Sequence, residues 1–363
     1  MTRLYVHEVV TRDGFQIEPR FIPTGEKIAL IDRLSDTGLH KIEVTSFVSP
    51  KAVPALADAE AVMAGIQRNP AVKYVALVAN PKGAERALAA KVDEIVLVIS
   101  VSESHNRSNV RRSTDESFAG FAEIMHAVEG TDVKVACGMA TTFGCPFEGF
   151  QPLDRILKFV DRLVGLGIDS IALADTIGMG NPKQIRDICN DVRARFPNYS
   201  FALHLHNTRG MGLANVLSGL ETGITHYESS LGGLVGCPFA PGATGNICTE
   251  DLVHMLHQMG HDTGVDLDRL IAASRGLPAL IGHDVPGQVM KAGKSTDLHP
   301  LPAGLSGQRR WLTPRNPSCA RPSGSAAPTA TASSIAAGSR TAAFRTTSST
   351  ADRSSGSATR SRN

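Results

Sequence analysis

Short β-branched runs alternate with amphipathic segments over about the first 260 residues, and this alternation limits the fold more tightly than any other feature of the chain. Strands buried on both faces read as nearly unbroken apolar runs, and each parallel strand needs a helical crossover before the next, so the pattern predicts repeated βα units around a parallel sheet. The predicted strands cover residues 4–10, 40–44, 72–78, 93–99, 133–138, 169–174, 200–206 and 225–230. The helical half of the unit is clearest from Leu153 to Val164. There Leu153, Ile156, Leu157, Val160 and Val164 form one apolar stripe, and Gly165 and Gly167 stop the helix. Eight strands with about one helix each fit a closed α/β barrel, a (β/α)8 TIM barrel, better than an open doubly wound sheet. No G-x-G-x-x-G follows the first run, which argues against dinucleotide binding. Two further helices, at 266–275 and 278–281, are expected as a short C-terminal helical appendage.

A hydrophobic content of 42% in 363 residues supports a substantial core. No apolar run approaches the ~20 residues of a membrane helix, and the N-terminus enters a strand without a leader pattern, so a cytoplasmic location is expected. The six cysteines, at 137, 145, 189, 237, 248 and 319, show no C-x-x-C spacing and are read as free thiols. The net charge of +2 conceals a division: residues 303–363 carry nine arginines and one acid, Asp352, which leaves 28 basic and 34 acidic side chains before them. The chain therefore divides into a catalytic barrel with its appendage, 1–302, and a low-complexity tail rich in Arg, Ser and Ala, 303–363, expected to be disordered. The single tryptophan, Trp311, lies in that tail. Arginine without lysine fits either a basic nucleic-acid tail or translation of a GC-rich stretch in the wrong frame. The acidic body itself gives no reason to expect nucleic-acid binding.

Candidate chemistry gathers where strands end, which is where a barrel of this kind places its catalytic groups. Arg12 and Asp13 follow the first strand, Glu43 and Thr45 the second, Asp175 and Thr176 the sixth, and His204 and His206 close the seventh. Alternate strand residues share a face, so His204 and His206 project together as half of a divalent-metal site. Asp13, both histidines and the amide oxygen of Asn246 supply two nitrogens and two oxygens, a set suited to Mg2+ or Mn2+ with two positions left for substrate or water. Asn246 also reads as a turn residue before a helix. The loop 231–245 holds five glycines and two prolines and carries Cys237, a thiol placed to move a proton once such a flap closes. Cys145 is read as structural. Arg12 and Glu43 are expected to pair, either to fix the barrel mouth or to aim the guanidinium at an oxyanion. Asp175 reads equally as an acid or base and as a cap for the next loop.

Five ordered stretches, Arg12 to Gln16, Ile42 to Pro50, Asp175 to Gly178, His204 to His206 and Gly236 to Asn246, together resemble the 3-hydroxy-3-methylglutaryl-CoA lyases. The resemblance spans about residues 4 to 300. It implies that Asp13, His204, His206 and Asn246 bind the cation, that Arg12 stabilises an enolate-like oxygen, and that Glu43 holds Arg12. It further implies that Cys237 transfers a proton, that Asp175 serves as a further acid/base or orienting group, and that His204 combines ligation with proton transfer. Asn109 matches a substrate-contacting residue, with Gln16 and Thr176 as further substrate contacts. The partners implied are an acyl-CoA substrate and a second copy in a homodimer. Three places depart from the usual pattern: Val10-Thr11 before the Arg-Asp pair, Val235 where the flap has glycine, and Asn207 after the second histidine. Val235 stiffens the flap and adds bulk near the acyl pocket. A related 3-hydroxyacyl-CoA, a condensing synthase or an aldolase of the same barrel group therefore stays open.

Overall fold

The computed structural model describes residues 3–234 and 245–300. Within them eight parallel strands close into a barrel in chain order: β1 (Tyr5–Glu8), β2 (Lys41–Ser46), β3 (Lys73–Leu77), β4 (Glu94–Ser100), β5 (Lys134–Ala140), β6 (Ser170–Asp175), β7 (Ser200–Leu205) and β8 (His226–Ser229). The seam is closed by β8 pairing with β1, Tyr5 opposite His226 and Glu8 opposite Ser229. The barrel anticipated from the sequence is present, and every strand lies within two residues of its expected bounds.

Three local departures have physical causes. β1 stops at Glu8 rather than residue 10, because Val10–Gly14 winds into a single wide turn. The buried Glu8 carboxylate draws the chain inward there, accepting from the Val10 amide (2.9 Å), the Leu231 amide (2.9 Å) and the Thr249 hydroxyl (2.7 Å). In the helix Leu153–Gly165 the buried face is Ile156, Phe159, Val160 and Leu163, so the apolar stripe is rotated toward Phe159 and Leu163, and Leu157 and Val164 only flank it. The two helices expected at 266–275 and 278–281 are one, Leu267–Ile281, with Pro278 inside it. The proline removes a single amide donor, while Leu270, Ile271, Leu277 and Ile281 stay buried along the helix and Gly282, at φ 87°, ends it.

Interior and exterior faces of the barrel differ in kind. Outward residues such as Leu97, Ile171, Leu203 and Tyr227 pack under the helices. The helix Gly212–Glu221 comes so close that a Cβ on Gly219 would stand 2.4 Å from Leu203. Inward positions on β5 and β6 hold small residues, including Gly138, Ala140, Ala172 and Ala174, whereas β1, β2, β4 and β8 present His7, Lys41, Glu43, Glu94 and Glu228. A cavity of about 810 Å³ opens between the two walls. Among the described residues, Cys137, Cys145, Cys189 and Cys248 are buried free thiols, and no helix is long and apolar enough to cross a membrane. The Cys145 thiol donates to Ser102 Oγ (2.9 Å), which is the structural role expected of it. Cys237, Cys319 and residues 303–363 lie outside the described residues.

Candidate active site

Backbone pairing explains why distant residues converge at one end of the barrel. His204 and Ala174 are opposite each other in β7 and β6, and His204 is also level with Glu228 in β8. Past the end of β7 the chain bridges to the stretch that begins at residue 245: His206 pairs with Asn246, and the Ile247 amide donates to the Leu205 carbonyl (3.0 Å). That added bridge carries Asn246 to the mouth. The wide turn at Val10–Gly14 turns Arg12 and Asp13 toward the same point.

His204 Nε2 and His206 Nε2 lie 3.2 Å apart, and Asp13 Oδ2 is 4.0 Å from His204 Nε2. The three side chains therefore offer ligand atoms that are all within 4.8 Å of one another. In an octahedral site with bonds of ~2.1 Å, neighbouring ligand atoms stand ~3 Å apart, so this set needs little adjustment to close on a divalent cation. Asn246 Nδ2 donates to Asp13 Oδ2 (3.0 Å), while its Oδ1 is buried with no protein partner, which suits an oxygen that completes a cation's shell. Gln16 Nε2 donates to the other Asp13 oxygen (3.2 Å).

Charge favours the same conclusion. Burial opposes ionisation of Asp13, yet Arg12 and the two imidazoles hold its carboxyl below the ordinary value. Burial together with His204 pushes the His206 imidazole down to about 3, so that ring is neutral and its lone pair is available. His204 is raised, despite burial, by Glu228, whose Oε2 accepts from its Nδ1 at 2.9 Å. That contact fixes the tautomer that leaves Nε2 facing the cluster. Sequence reasoning missed Glu228, although the period-two spacing of His226 and Glu228 on β8 repeats that of His204 and His206 on β7.

Arg12 is clamped from two sides. One terminal nitrogen donates to Asp13 Oδ1 (2.7 Å) and the other to Glu43 Oε2 (2.6 Å). Burial opposes the guanidinium charge, but Glu43 and Asp13 hold its pKa above the ordinary value. Its Nε is buried without a protein partner, a donor available to an oxyanion. Burial pushes the Glu43 carboxyl up to about 7 against the pull of Arg12. Gln16, Asn109 and Thr176 all line the cavity. Asp175 is placed differently: it ends β6 fully buried, and its carboxylate accepts from the amides of Met179 (2.8 Å) and Gly180 (3.1 Å). Of the two roles expected for it, the geometry is that of a clamp on the following loop. Burial pushes its carboxyl up to about 6.

Three side chains able to hold a metal ion stand beside a clamped guanidinium at the mouth of an α/β barrel, and a family model covers the same chain. That model, HMGL-like, matches residues 3–276. The chain belongs to the HMGL-like family. Among its relatives, the hydroxymethylglutaryl-CoA lyase of Bacillus subtilis is 42% identical over 294 residues, covering 81% of this chain and 98% of that one. The (R)-citramalyl-CoA lyase of Chloroflexus aurantiacus is 37% identical over 303 residues, covering 81% and 96%. Among solved structures, an HMG-CoA lyase from Acinetobacter baumannii in complex with coenzyme A and 3-methylmalate is 51% identical, with a TM-score of 0.79 over 83% of this chain and 100% of that one. This member of the HMGL-like family is accordingly a carbon–carbon lyase on a TIM barrel.

Proposed function

We propose that the protein cleaves 3-hydroxy-3-methylglutaryl-CoA, or a close 3-hydroxyacyl-CoA analogue, to acetyl-CoA and a keto acid, which is acetoacetate for the parent substrate. The observation that carries this reading is the convergence of Asp13, His204 and His206 beside Arg12 at the open end of a cavity of about 810 Å³. Asp13, His204, His206 and Asn246 would hold Mg2+ or Mn2+, whose chemistry is to acidify the tertiary hydroxyl and fix the carboxylate beside it. A basic group then takes the hydroxyl proton, the carbonyl forms at C3, and the bond to C2 breaks with its electron pair passing to the thioester. Arg12, held by Glu43, offsets the negative charge that develops on the thioester oxygen. Cys237, in the stretch outside the described residues, returns a proton to the C2 methylene. Gln16, Asn109 and Thr176 contact the substrate, and Asp175 holds the loop that follows β6.

A second substrate has its own support in the likeness to a citramalyl-CoA lyase. Citramalyl-CoA carries the same tertiary alcohol one methylene closer to its carboxylate, and a single methylene is worth ~1–3 kcal/mol of discrimination. A cytoplasmic homodimer completes the proposal, and sedimentation of the purified chain checks the dimer. Turnover of a small acyl-CoA panel, with and without Mg2+, tests the reading. Release of acetyl-CoA from hydroxymethylglutaryl-CoA or citramalyl-CoA supports it and ranks the two. No acetyl-CoA from any member with either metal rejects the lyase.

A further inference from the structure

A second group of imidazoles lies at the other end of the barrel, where the strands begin. His226 is the first residue of β8, His40 immediately precedes β2, and His7 lies on β1. We infer that His7, His40 and His226 form a second metal site, separate from the one at the catalytic mouth and suited to Zn2+ or a similar transition ion bound by three imidazoles.

The spacing is that of a ligand set. Tetrahedral Zn–N bonds of ~2.0–2.1 Å place bonded nitrogens ~3.3 Å apart. His7 Nε2 and His226 Nδ1 are 3.1 Å apart, and one ring nitrogen from each of the three residues falls within 4.8 Å of the others. Ring centroids separated by 5.2, 5.6 and 5.8 Å agree with three imidazoles pointing at one centre. Only His7 is fully buried, so the side formed by half-buried His40 and His226 leaves a path for the ion and a fourth position for water.

An independent observation comes from the carboxylate behind the cluster. Metal-binding histidines almost always hand their other ring N–H to an acceptor, which orients the ring and makes it more basic. Glu228 lies behind both groups: one oxygen accepts from His204 Nδ1 at 2.9 Å, and the other stands 4.0 Å from His7 Nδ1, at ion-pair distance. The Nε2 atom of each ring faces its own cluster, that of His7 toward His226 and that of His204 toward His206. Tyr5 stacks on His226 with centroids 4.6 Å apart and planes 13° apart, which fixes a second ring. Neighbouring cations are mostly matched: Lys41 binds both oxygens of Glu94 (2.7 and 2.6 Å) and Arg3 binds Asp262 (2.7 Å), while Lys73 is exposed to solvent. Burial, reinforced by the neighbouring rings, holds His40 at about 4 and His226 at about 3, so both are neutral ligands at pH 7.

Equilibrium dialysis of the metal-stripped full-length chain against Zn2+, followed by elemental analysis, tests the inference. The wild type is expected to hold about two Zn2+ per chain, and the His40→Gln/His226→Gln variant about one, with circular dichroism and a cooperative thermal transition establishing that the variant is folded. If the double variant does not fold, the His40→Gln single variant, altered at a half-exposed ring, is used, and at least a tenfold weaker second Zn2+ is expected. Co2+ provides a spectroscopic check, since its visible absorption at a site of low coordination number should be lost in the same variants. A wild type that binds only one Zn2+ per chain, or variants that bind as much and as tightly as the wild type, would overturn the inference.

Discussion

Glu228 shows how much of the site depends on a side chain that orients another. It holds His204 Nδ1 at 2.9 Å, and its own carboxyl is kept well below the ordinary range, despite burial, by that hydrogen bond and by the nearby His7. Glu228→Gln keeps the shape and removes the charge. Metal affinity, read by titrating Mn2+ into the stripped protein, is expected to fall ~10–100-fold, with much of kcat recovered at saturating metal. Unchanged affinity would deny Glu228 that role. Glu43 acts through Arg12 in the same way. Glu43→Gln should lower kcat by ~10–100-fold with KM nearly constant, because a loosened guanidinium loses stabilisation realised only in the transition state. A change confined to KM would point instead to substrate binding. Arg12, Asp13, His204, His206 and Asn246 were legible in the sequence because each sits beside a strand end in a distinctive local motif. Glu228 was not, since its partner lies across a strand pair and a lone acid in Tyr227-Glu228-Ser229 looks like any other. Asp175 was legible as a carboxylate at a strand end, but its direction was not: alternation along β6 places it behind the cavity wall formed by Ala172, Ala174 and Thr176.

Among the elements, the seam between β1 and β8 depends on one buried carboxylate. Glu8 accepts three hydrogen bonds there, from Val10, Leu231 and Thr249, and so ties the first strand to the chain just after β8 and to the start of the helix Thr249–Gln258. Glu8→Leu leaves three buried donors without an acceptor at ~1–3 kcal/mol each, so a loss of several kcal/mol is expected in urea unfolding. A loss under ~1 kcal/mol would mean that the donors find other partners. The period of the apolar pattern revealed the strands, because burial on both faces leaves continuous runs. It did not reveal where β1 stops, since Val9 and Val10 are as apolar as the strand before them and only the Glu8 carboxylate turns the chain. Pro278 misled for the opposite reason. A proline predicts a break, but burial along the helix Leu267–Ile281 outweighs one missing hydrogen bond.

Across the whole molecule, buried carboxylates give stability a definite pH dependence. Burial raises Glu8 from the ordinary 4.5 to about 7 and Glu250 to about 8. The folded chain then binds protons that the unfolded chain has already released, so this contribution is complete below about 4.5 and is lost as pH rises through 7 to 8. Lowered imidazoles such as His206 and His226 act in the opposite sense, but only below their ordinary 6.5. The unfolding temperature should therefore drop between about pH 6.5 and 9, and Glu250→Gln should make that drop smaller. A rise over that interval, or an unaltered drop in the variant, would contradict the assignment. The barrel closure was legible from the count of βα units, whereas the second imidazole group was not, because His7, His40 and His226 meet only when β8 returns to β1. The convergence of Asp13, His204 and His206 on one cation underlies the whole functional reading, and anomalous diffraction from Mn2+-soaked crystals tests it most directly. The predicted result is a Mn2+ peak ~2.0–2.3 Å from His204 Nε2, His206 Nε2 and an Asp13 oxygen, with Asn246 Oδ1 turned toward it. Mn2+ bound elsewhere, with no peak between those three side chains, would contradict it.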